Sequence, residues 1–383
     1  GSGLVGSEMC IRDRHNKSSV CLVVPDDLPW RDEMRASIET GMHQMPDMES
    51  FYVEFIDVED ECPDIADIGR YLMERYALPE IAAGYRGREK LQKYILDKQV
   101  LDNRVLWIKG MNASQEKRWL QFCRDYVPVK DSDGRFVLEA RWTDKENERR
   151  NLAVIRYGDT IKRYDLTLFN SIYLNREKGT YSAIWQQYAA VMCALLCNTD
   201  AETSQAFMDT CDFTAEEPII GMRKIAADGA YLRRAESSNL HILSLVRKES
   251  ISAIDAQIWK AQLQVLFPLL EIERVSFIKR YRKQVQEALG EKYHDFRTGR
   301  SQYIYQFGET VSDPDNAELG TIYRMTKLRR DADAYQYLLY IPDEQSRSRI
   351  ELLHDLRNSL AHGNTCAIDK VIEFINGHPF DWN

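Results

Sequence analysis

Residues 105–126 read VLWIKGMNASQEKRWLQFCRDY, and this stretch decides the fold of the first half of the chain. The apolar run at 105–108 predicts a buried strand, which Gly110 ends. Residues 115–126 then show helical spacing, with large apolar side chains along one side of the helix. A strand followed by a helix is the unit from which parallel sheets are built.

The same alternation of strand and helix extends in both directions from this stretch. Apolar or β-branched runs that predict strands recur at 21–24, 51–58, 136–140 and 152–157. Helical spacing lies between them, at 30–43, 65–76 and 88–101. This pattern predicts an α/β domain over residues 18–175, with a mostly parallel sheet flanked by helices.

The order of these elements resembles the core of P-loop ATPases of the AAA and STAND type. The phosphate-binding motif of that family is missing, because the first strand leads into the segment PDDLPW at 25–30 and no G-x-x-x-x-G-K-[ST] occurs in the chain. Lys109 and Gly110 follow the third strand, where the family has acids that hold magnesium. The resemblance therefore implies a degenerate domain that recognises a partner and does not hydrolyse nucleotide.

The second half of the chain has a helical pattern. Residues 181–197 carry apolar side chains at helical spacing, and shorter helices are expected at 201–211 and 215–227. We expect a helical connector over 176–250, with a junction at 237–239, and a separate all-α module over 251–383. Residues 1–17 are expected to form a disordered tail, which begins with a sequence typical of a cloning scar.

Composition sets limits on the function. The formal net charge of −9 over 383 residues argues against a protein that coats nucleic acid non-specifically, although local basic patches remain compatible with it. No apolar run approaches the roughly 18 residues of a membrane span. The eight cysteines form no C-x-x-C pair, which predicts free thiols in a reducing cytoplasm. We expect neither a metal nor a cofactor.

A basic stretch lies early in the C-terminal module. Residues 253–267 predict a helix that Pro268 kinks or restarts, and the next piece has an apolar stripe at 275, 278, 285 and 289. Between 274 and 300, eight Lys or Arg residues stand against three acids. The candidate RNA-binding residues are Lys279, Arg280, Arg282 and Lys283, with Tyr281, Tyr293 and Phe296 as stacking platforms. The alternative is an ordinary solvated helix face.

Near the C-terminus the chain reads LRNSLAHG at 356–363. A helix is predicted from about 343 to 362, with a buried face formed by Ile350, Leu353, Leu356 and Leu360. Arg357 and Asn358 would project from its flank, and His362 would lie in its last turn. A permanent cation, an amide and an imidazole are suited to holding and cleaving a phosphodiester. His354 either joins this site or is an exposed helix residue.

The segment from Arg357 to His362 resembles the R-x(4–6)-H motif of the HEPN superfamily of small helical bundles, with Asn358 in the polar position. The resemblance implies a metal-independent endoribonuclease in which the RNA 2′-hydroxyl attacks the adjacent phosphate. Arg357 would stabilise the charged phosphorane, Asn358 would orient the phosphate, and His362 would transfer a proton. Such sites are usually built from two facing modules, which implies a homodimer.

Two readings of the whole chain remain open. In the first, the protein is a regulated RNA-cutting effector of bacterial defence or of a toxin-type system. In the second, it is a non-catalytic assembly or adaptor protein, in which the HEPN-like bundle dimerises and the α/β domain docks a protein partner. A nucleotide-binding sensor without hydrolysis is a third class, and it would need a phosphate site of unfamiliar construction.

Overall fold

A computed structural model describes residues 19–25, 28–46, 48–143, 147–149, 151–236 and 241–380 of the chain. The tail predicted over residues 1–17 and the junction predicted at 237–239 lie outside these ranges. The chain divides into two compact units, Gly1–Asp165 and Leu166–Asn383.

The first unit is built on one sheet of five parallel strands, as the alternating sequence pattern predicted. The strands are β1 (Ser19–Val23), β2 (Tyr52–Asp57), β3 (Arg104–Lys109), β4 (Arg135–Ala140) and β5 (Leu152–Arg156). Their spatial order is β2-β3-β4-β1-β5, so β3 and β4 are internal strands. Internal strands are covered on both faces, which explains the continuous apolar run at 105–108.

Helices flank this sheet. They are α1 (Arg31–His43), α2 (Val58–Glu61), α3 (Ile68–Tyr76), α4 (Pro79–Gly84), α5 (Leu91–Asp97), α6 (Ala113–Asp125) and α7 (Tyr157–Thr160). Leu106 and Ile108 of β3 belong to one buried apolar cluster, while Val105 and Trp107 belong to another. This division follows from the alternation of side chains across a strand. The start of α6 is fixed by a reciprocal capping box between Asn112 and Gln115.

The second unit is mostly helical. Its helices are α8 (Arg163–Glu177), α9 (Ala183–Cys197), α10 (Ala201–Thr210), α11 (Pro218–Ala227), α12 (Leu232–Ala235), α13 (Ile242–Arg247), α14 (Ile251–Arg280), α15 (Arg282–Gly290), α16 (Leu319–Lys327), α17 (Glu344–Ala361) and α18 (Ile368–Asn376). Every residue of α9 from Tyr188 to Cys197 is buried. A helix that is apolar on all sides lies inside a core. One continuous apolar cluster extends from Leu166 to Phe380 and includes residues on both sides of the predicted boundary at 250/251.

Helix α14 departs from the sequence prediction at Pro268. The helix is 30 residues long and contains Pro268 in its interior, so of the two predicted alternatives, a kink or a restart, the restart is wrong. Buried residues on both sides of the proline, such as Leu266 and Leu270, anchor the helix and offset the lost hydrogen bond. The break comes instead at Tyr281, whose backbone has φ −111° and ψ 23°. Val275 is 37% exposed and does not belong to a buried stripe.

The C-terminal module is also not purely helical. Two short antiparallel ribbons follow α15, formed by β6 (Tyr293–Asp295) with β7 (Arg300–Gln302) and by β8 (Tyr305–Gln306) with β9 (Glu309–Thr310). The prediction of an all-α module is therefore wrong in this segment. These strands have two or three residues each and carry polar side chains, so they show neither the length nor the alternation of an ordinary strand.

In the part of the chain that the structure describes, no helix combines the length with the apolar character that crossing a bilayer requires.

Candidate functional site

Helix α17 carries the predicted site, and its own sequence explains its position. The Asp343 side chain accepts a hydrogen bond from the Ser346 backbone N–H at 2.9 Å and caps the helix start. The predicted buried face is confirmed, because its four members are at most 1% exposed: Ile350, Leu353, Leu356 and Leu360. Gly363, with φ +78°, follows the helix end. The opposite flank is therefore left to the polar residues.

A buried ion pair fixes α17 to its neighbours. Arg349 donates through Nε to the Glu273 carboxylate of α14 at 2.8 Å and through Nη2 to the other oxygen of that carboxylate. The same guanidinium donates to the Phe374 carbonyl of α18 at 3.0 Å. Arg349 and Glu273 are 8% and 5% exposed. Three helices are thus held together by one fully partnered guanidinium, which leaves little freedom in how α17 is placed.

Arg357 lies on the half-exposed flank of α17. Its Nη2 atom is 3.2 Å from the Glu318 carboxylate, and the two side chains are 27% and 39% exposed. Arg357 also lines a pocket of about 350 Å³, together with Phe267, Glu271, Arg274, Gln306, Asp315, Asn316 and Glu318. The guanidinium is therefore accessible from solvent, but in this structure it is paired with a carboxylate.

Asn358 is hydrogen-bonded within its own helix. Its Nδ2 atom is 2.9 Å from Nε2 of His354, one turn earlier. The other ring nitrogen of His354, Nδ1, lies 3.3 Å from the Asp355 carboxylate. With the amide oriented in this way, Nε2 accepts and Nδ1 carries the proton, an assignment made from the hydrogen-bond network. Asn358 therefore orients an imidazole rather than standing free.

His354 packs against α16. The sequence had left open whether His354 joins the site or is an exposed helix residue, and the structure shows that it is not exposed. Its ring stacks on that of Tyr323, with centroids 4.0 Å apart and planes 18° from parallel. Its side chain is 18% exposed. The structure thus brings His354 into contact with Asn358, and the spacing of four residues between them was a signal that the sequence already contained.

His362 is the residue that directly follows α17. Its backbone N–H donates to the Asn358 carbonyl at 3.0 Å, which places it one turn beyond the amide. The side chain is exposed, and its imidazole makes no hydrogen bond or ion pair with any residue that the structure describes. The His362 imidazole is therefore free for a ligand as far as the described residues are concerned, whereas Arg357 and Asn358 are engaged with Glu318 and His354.

Helices α16 and α17 are connected by a series of polar contacts. The pairs run in opposite directions along the two helices: Lys327 with Glu351 at 3.3 Å, Tyr323 with His354, and Glu318 with Arg357. Sequence reasoning missed α16 entirely as part of the site, because its residues lie more than 20 positions before their partners. The last two of these contacts give His354 and Arg357 a structural task as well.

The four predicted RNA-binding residues lie close together around the break between α14 and α15, and all are exposed. Lys279 and Lys283 form no ion pair with the described residues. Arg282 forms a two-pronged pair with Asp315, at 2.7 and 2.9 Å. Arg280 lies 5.5 Å from the centre of the Tyr281 ring. The basic patch is therefore present, but its positive charge is reduced by Asp315.

Two of the three predicted stacking platforms are not available to a ligand. Tyr281 and Tyr293 are 6% and 8% exposed, and the Tyr281 hydroxyl donates to Ser346 at 2.9 Å. The prediction that these rings stack on bases is wrong, because both belong to the apolar core. Phe296 is 69% exposed and remains available.

The carboxyl ends of β1–β3 lack a recognisable phosphate site in the described residues. After β1, the Leu28 side chain is buried, and its N–H donates to the Pro25 carbonyl at 3.3 Å. Asp26 and Asp27 lie outside the described residues. At the last residue of β3, the Lys109 ammonium binds the Asp57 carboxylate at 2.6 Å and holds the pKa of that carboxyl below its ordinary value. These groups are engaged with each other.

The described cysteines and acids do not form a metal centre. The seven cysteines in the described residues are free and buried, as the sequence predicted, and burial raises the pKa of Cys21, Cys211 and Cys366 to about 12. Such thiols are poor nucleophiles at neutral pH. Nowhere in the described ranges do three or more His, Cys, Asp or Glu residues converge as metal ligands would.

No protein-family model matches this chain, and no curated protein matches it in sequence. Its function therefore has to be inferred from the geometry of α17 and its surroundings.

Proposed function

We propose that the protein is a metal-independent endoribonuclease of the HEPN type, with Arg357, Asn358 and His362 as its catalytic residues. The observation that carries the proposal is the arrangement of three side chains at the end of α17. There, an exposed imidazole that has no partner among the described residues follows one turn after an amide, and a half-exposed guanidinium precedes that amide. In this proposal Arg357 stabilises charge, Asn358 orients the phosphate, and His362 transfers protons.

The chemistry requires attack of the RNA 2′-hydroxyl on the adjacent phosphorus. The hydroxyl proton leaves, the P–O5′ bond breaks, and the 5′-oxygen takes up a proton. His362 supplies an exposed imidazole, which can accept the first proton and donate the second. Arg357 offers a fork of donors that matches the phosphate oxygens. Because this fixed positive charge stabilises the pentacovalent state, the reaction needs no metal ion.

Arg357 is available at small cost. Its pair with Glu318 is half-exposed, and such surface pairs contribute only about 0.2–1 kcal/mol. An RNA phosphate entering the pocket beside α17 would therefore displace Glu318 readily. The proposal includes a homodimer in which two copies of α17 face each other, and RNA held by the basic residues Lys279, Arg280, Arg282 and Lys283.

The N-terminal unit fits this picture as a recognition domain. A five-stranded parallel sheet without a phosphate loop in the described residues supports a degenerate NTPase-like domain that binds a protein partner. The whole chain would then act as a regulated effector of bacterial defence or of a toxin-type system in the cytoplasm.

The test is cleavage of a mixed-sequence single-stranded RNA in the presence of EDTA. Wild-type protein is expected to produce fragments with 2′,3′-cyclic phosphate ends, and Arg357→Ala should lower the rate by about 10²-fold or more, as loss of a charge-stabilising donor does. Lys327→Ala, which removes a neighbouring cation from α16, serves as the matched control. Fragments with 3′-hydroxyl ends, or equal rates for wild type and Arg357→Ala, would refute the assignment.

A second candidate is a non-catalytic assembly protein, which the contacts between α16 and α17 favour. In that case Arg357 and Asn358 exist to hold Glu318 and His354, and their purpose is to shape the helical module. Asn358→Ala should then lower the unfolding temperature and leave no RNA activity to lose. Retention of full stability in Asn358→Ala, together with loss of cleavage, would exclude this second candidate.

A further inference from the structure

Four short segments of the C-terminal module form a small sheet, made of residues 335–338, 328–331, 292–295 and 300–303 in spatial order. The last two are the β6–β7 ribbon. Backbone bonds join the others: Leu338 N–H to Leu328 O, Arg330 N–H to Gln336 O, His294 N–H to Arg329 O, and Asp331 N–H to Lys292 O, at 2.8–3.2 Å. We call this array the small sheet.

The small sheet has a buried face and a solvent face. Tyr293 belongs to the buried face, where its hydroxyl accepts a hydrogen bond from Arg324 of α16. Since side chains alternate across a strand, Lys292 and His294 lie on the other face. The aromatic rings exposed on or beside that face are Phe296 (69%), Tyr303 (41%), Tyr335 (93%) and Tyr337 (38%).

Cations lie directly against these rings. The Lys292 ammonium is 5.3 Å from the centre of the Tyr303 ring, and the Arg329 guanidinium is 3.7 Å from that of Tyr337. The His294 and Phe296 rings meet edge to face, with centroids 4.8 Å apart. Aromatic faces and basic groups therefore alternate across the solvent face.

The charges on this surface favour an anionic ligand. Its acids are engaged locally: Asp295 accepts from Arg297 N–H and Thr298 Oγ1, Asp333 accepts from Tyr335 N–H, and Asp331 accepts from Ser301 Oγ. By contrast, Lys292, Arg297 and Arg329 form no ion pair with a carboxylate of the described residues. The carboxylates keep their negative charge, and Asp331 also lies 3.6 Å from His294 Nδ1. Their oxygens are nevertheless bound locally, so Lys292, Arg297 and Arg329 are left for phosphate groups.

We propose that the solvent face of the small sheet binds single-stranded nucleic acid. Bases would stack on the exposed rings Phe296, Tyr303, Tyr335 and Tyr337, and phosphates would lie near Lys292, Arg297 and Arg329. Single-stranded RNA held here would be the substrate of the proposed cleavage site, and only that last step rests on the proposed function.

The exposed side chains on this surface combine flat rings with cations, as binding of single-stranded nucleic acid requires. Between residues 291 and 343, all the exposed large hydrophobic side chains of the described residues are aromatic, and none is Leu, Ile, Val or Met. Elsewhere the exposed set includes aliphatic residues such as Leu168 and Ile172. Base stacking requires flat rings, which this surface supplies, but protein interfaces are also rich in aromatic residues. The cations beside the rings, Lys292, Arg297 and Arg329, have no carboxylate partner in the described residues, and they favour a polyanion as the ligand.

The experiment measures binding separately from cleavage. A fluorescently labelled 2′-O-methyl oligouridine of about 20 nucleotides lacks the attacking hydroxyl, so its anisotropy with full-length protein reports binding alone. Tyr303→Ala/Tyr335→Ala should weaken binding by at least about 25-fold, since each lost stacking ring weakens binding by roughly 5- to 100-fold. Tyr164→Ala removes a ring that is 72% exposed in α8 and should leave the affinity within about twofold.

A charge variant supplies a second, independent readout. Lys292→Gln should reduce the slope of log affinity against log salt concentration by about 0.7, the value for one phosphate contact on a single strand. Competition with an unlabelled DNA strand and with an RNA duplex distinguishes the ligands. The proposal expects both single strands to compete and the duplex to compete poorly.

Three results would overturn the inference. They are no binding by wild-type protein, equal affinity of wild type and the double tyrosine variant, and self-association through these rings without any binding of nucleic acid. Binding that depends on the rings, in a protein that does not cleave natural RNA, would support the inference while refuting the proposed function. Cleavage with affinities insensitive to the rings would do the reverse.

Discussion

The buried pair between Arg349 and Glu273 allows a quantitative test of how α17 is held. Glu273→Ala would leave the Arg349 guanidinium, 8% exposed, without the carboxylate that accepts two of its hydrogen bonds. The carbonyl of Phe374, at 3.0 Å, would remain as a neutral partner. A cation stranded in a low-dielectric interior destabilises the folded state strongly.

The expected loss is about 3–5 kcal/mol in the free energy of unfolding of the second unit, the usual range when one partner of a buried pair is removed. Removing both charges avoids the stranded cation. Glu273→Ala/Arg349→Met should therefore recover most of the loss, because replacing a whole buried pair by apolar groups is often close to neutral. The recovery by a second substitution is the distinctive part of this prediction.

Urea unfolding, followed by tryptophan fluorescence and far-ultraviolet circular dichroism, provides the measurement. Trp185 and Trp259 report on the second unit, where their indole N–H groups donate to Asn376 and to the Leu360 carbonyl at 2.8 Å. Two units can unfold in separate steps, so both probes are fitted to the transition of the second unit. Asp315→Ala, which breaks the exposed pair with Arg282, is the control and should have a much smaller effect.

A loss below about 1 kcal/mol for Glu273→Ala would refute the reasoning, because it would mean that water reaches the guanidinium. A double variant no more stable than Glu273→Ala would also refute it, since the destabilisation would then come from lost packing and not from the unpaired charge.

Three further predictions concern Glu318 beside the proposed site, Gly110 just after β3, and the pair of Asp355 and Lys370. Glu318→Gln frees Arg357 for phosphate, and the RNA cleavage rate at low substrate should rise by up to roughly fivefold, the equivalent of about 1 kcal/mol; a fall at unchanged stability would contradict the role given to Arg357. Gly110→Ala should destabilise the first unit in thermal unfolding by about 2 kcal/mol or more, because Gly110 has φ +71° and an added Cβ would clash with Asp57 Oδ1. Gly87→Ala, with φ +68° and open space, should cost less, and equal losses would show that the contact with Asp57 is unimportant. The hydrogen bond from Lys370 and the smaller effect of His354 hold the pKa of the Asp355 carboxyl below its ordinary value. The ionised carboxyl therefore stabilises the folded state at neutral pH, and this stabilisation is lost as the pH falls below about 4. Lys370→Met should raise that pKa in a carboxyl-carbon NMR titration, and an unchanged titration would show that the hydrogen bond is not formed in solution.

The sheet of the first unit was predictable because its internal strands are buried on both faces. A strand covered on both sides must be apolar throughout, and β3 is such a run. Helix α17 was also predictable, because its apolar spacing, its capping residue Asp343 and the Gly363 that follows it define its bounds within about one residue. Local patterns determine these features, so one sequence suffices to find them.

The missed features depend on contacts that are distant in sequence. Glu318 pairs with Arg357 across 39 positions, and no local pattern announces this. Helix α14 continues through Pro268 because core packing on both sides outweighs the local preference of proline. The small sheet uses four-residue segments from distant positions, although the spacing of Tyr335 and Tyr337 was a visible signal of one strand face.

The most direct test of the central claim is the single-turnover cleavage rate of a single-stranded RNA, measured in EDTA for wild type, His362→Ala and His378→Ala. Both histidines are exposed, so neither substitution should disturb the fold. If the His362 imidazole transfers protons in the reaction, its removal lowers the rate by about 10²- to 10⁴-fold, while His378→Ala cleaves as wild type does. Equal rates for all three proteins would contradict the assignment of the site to the end of α17.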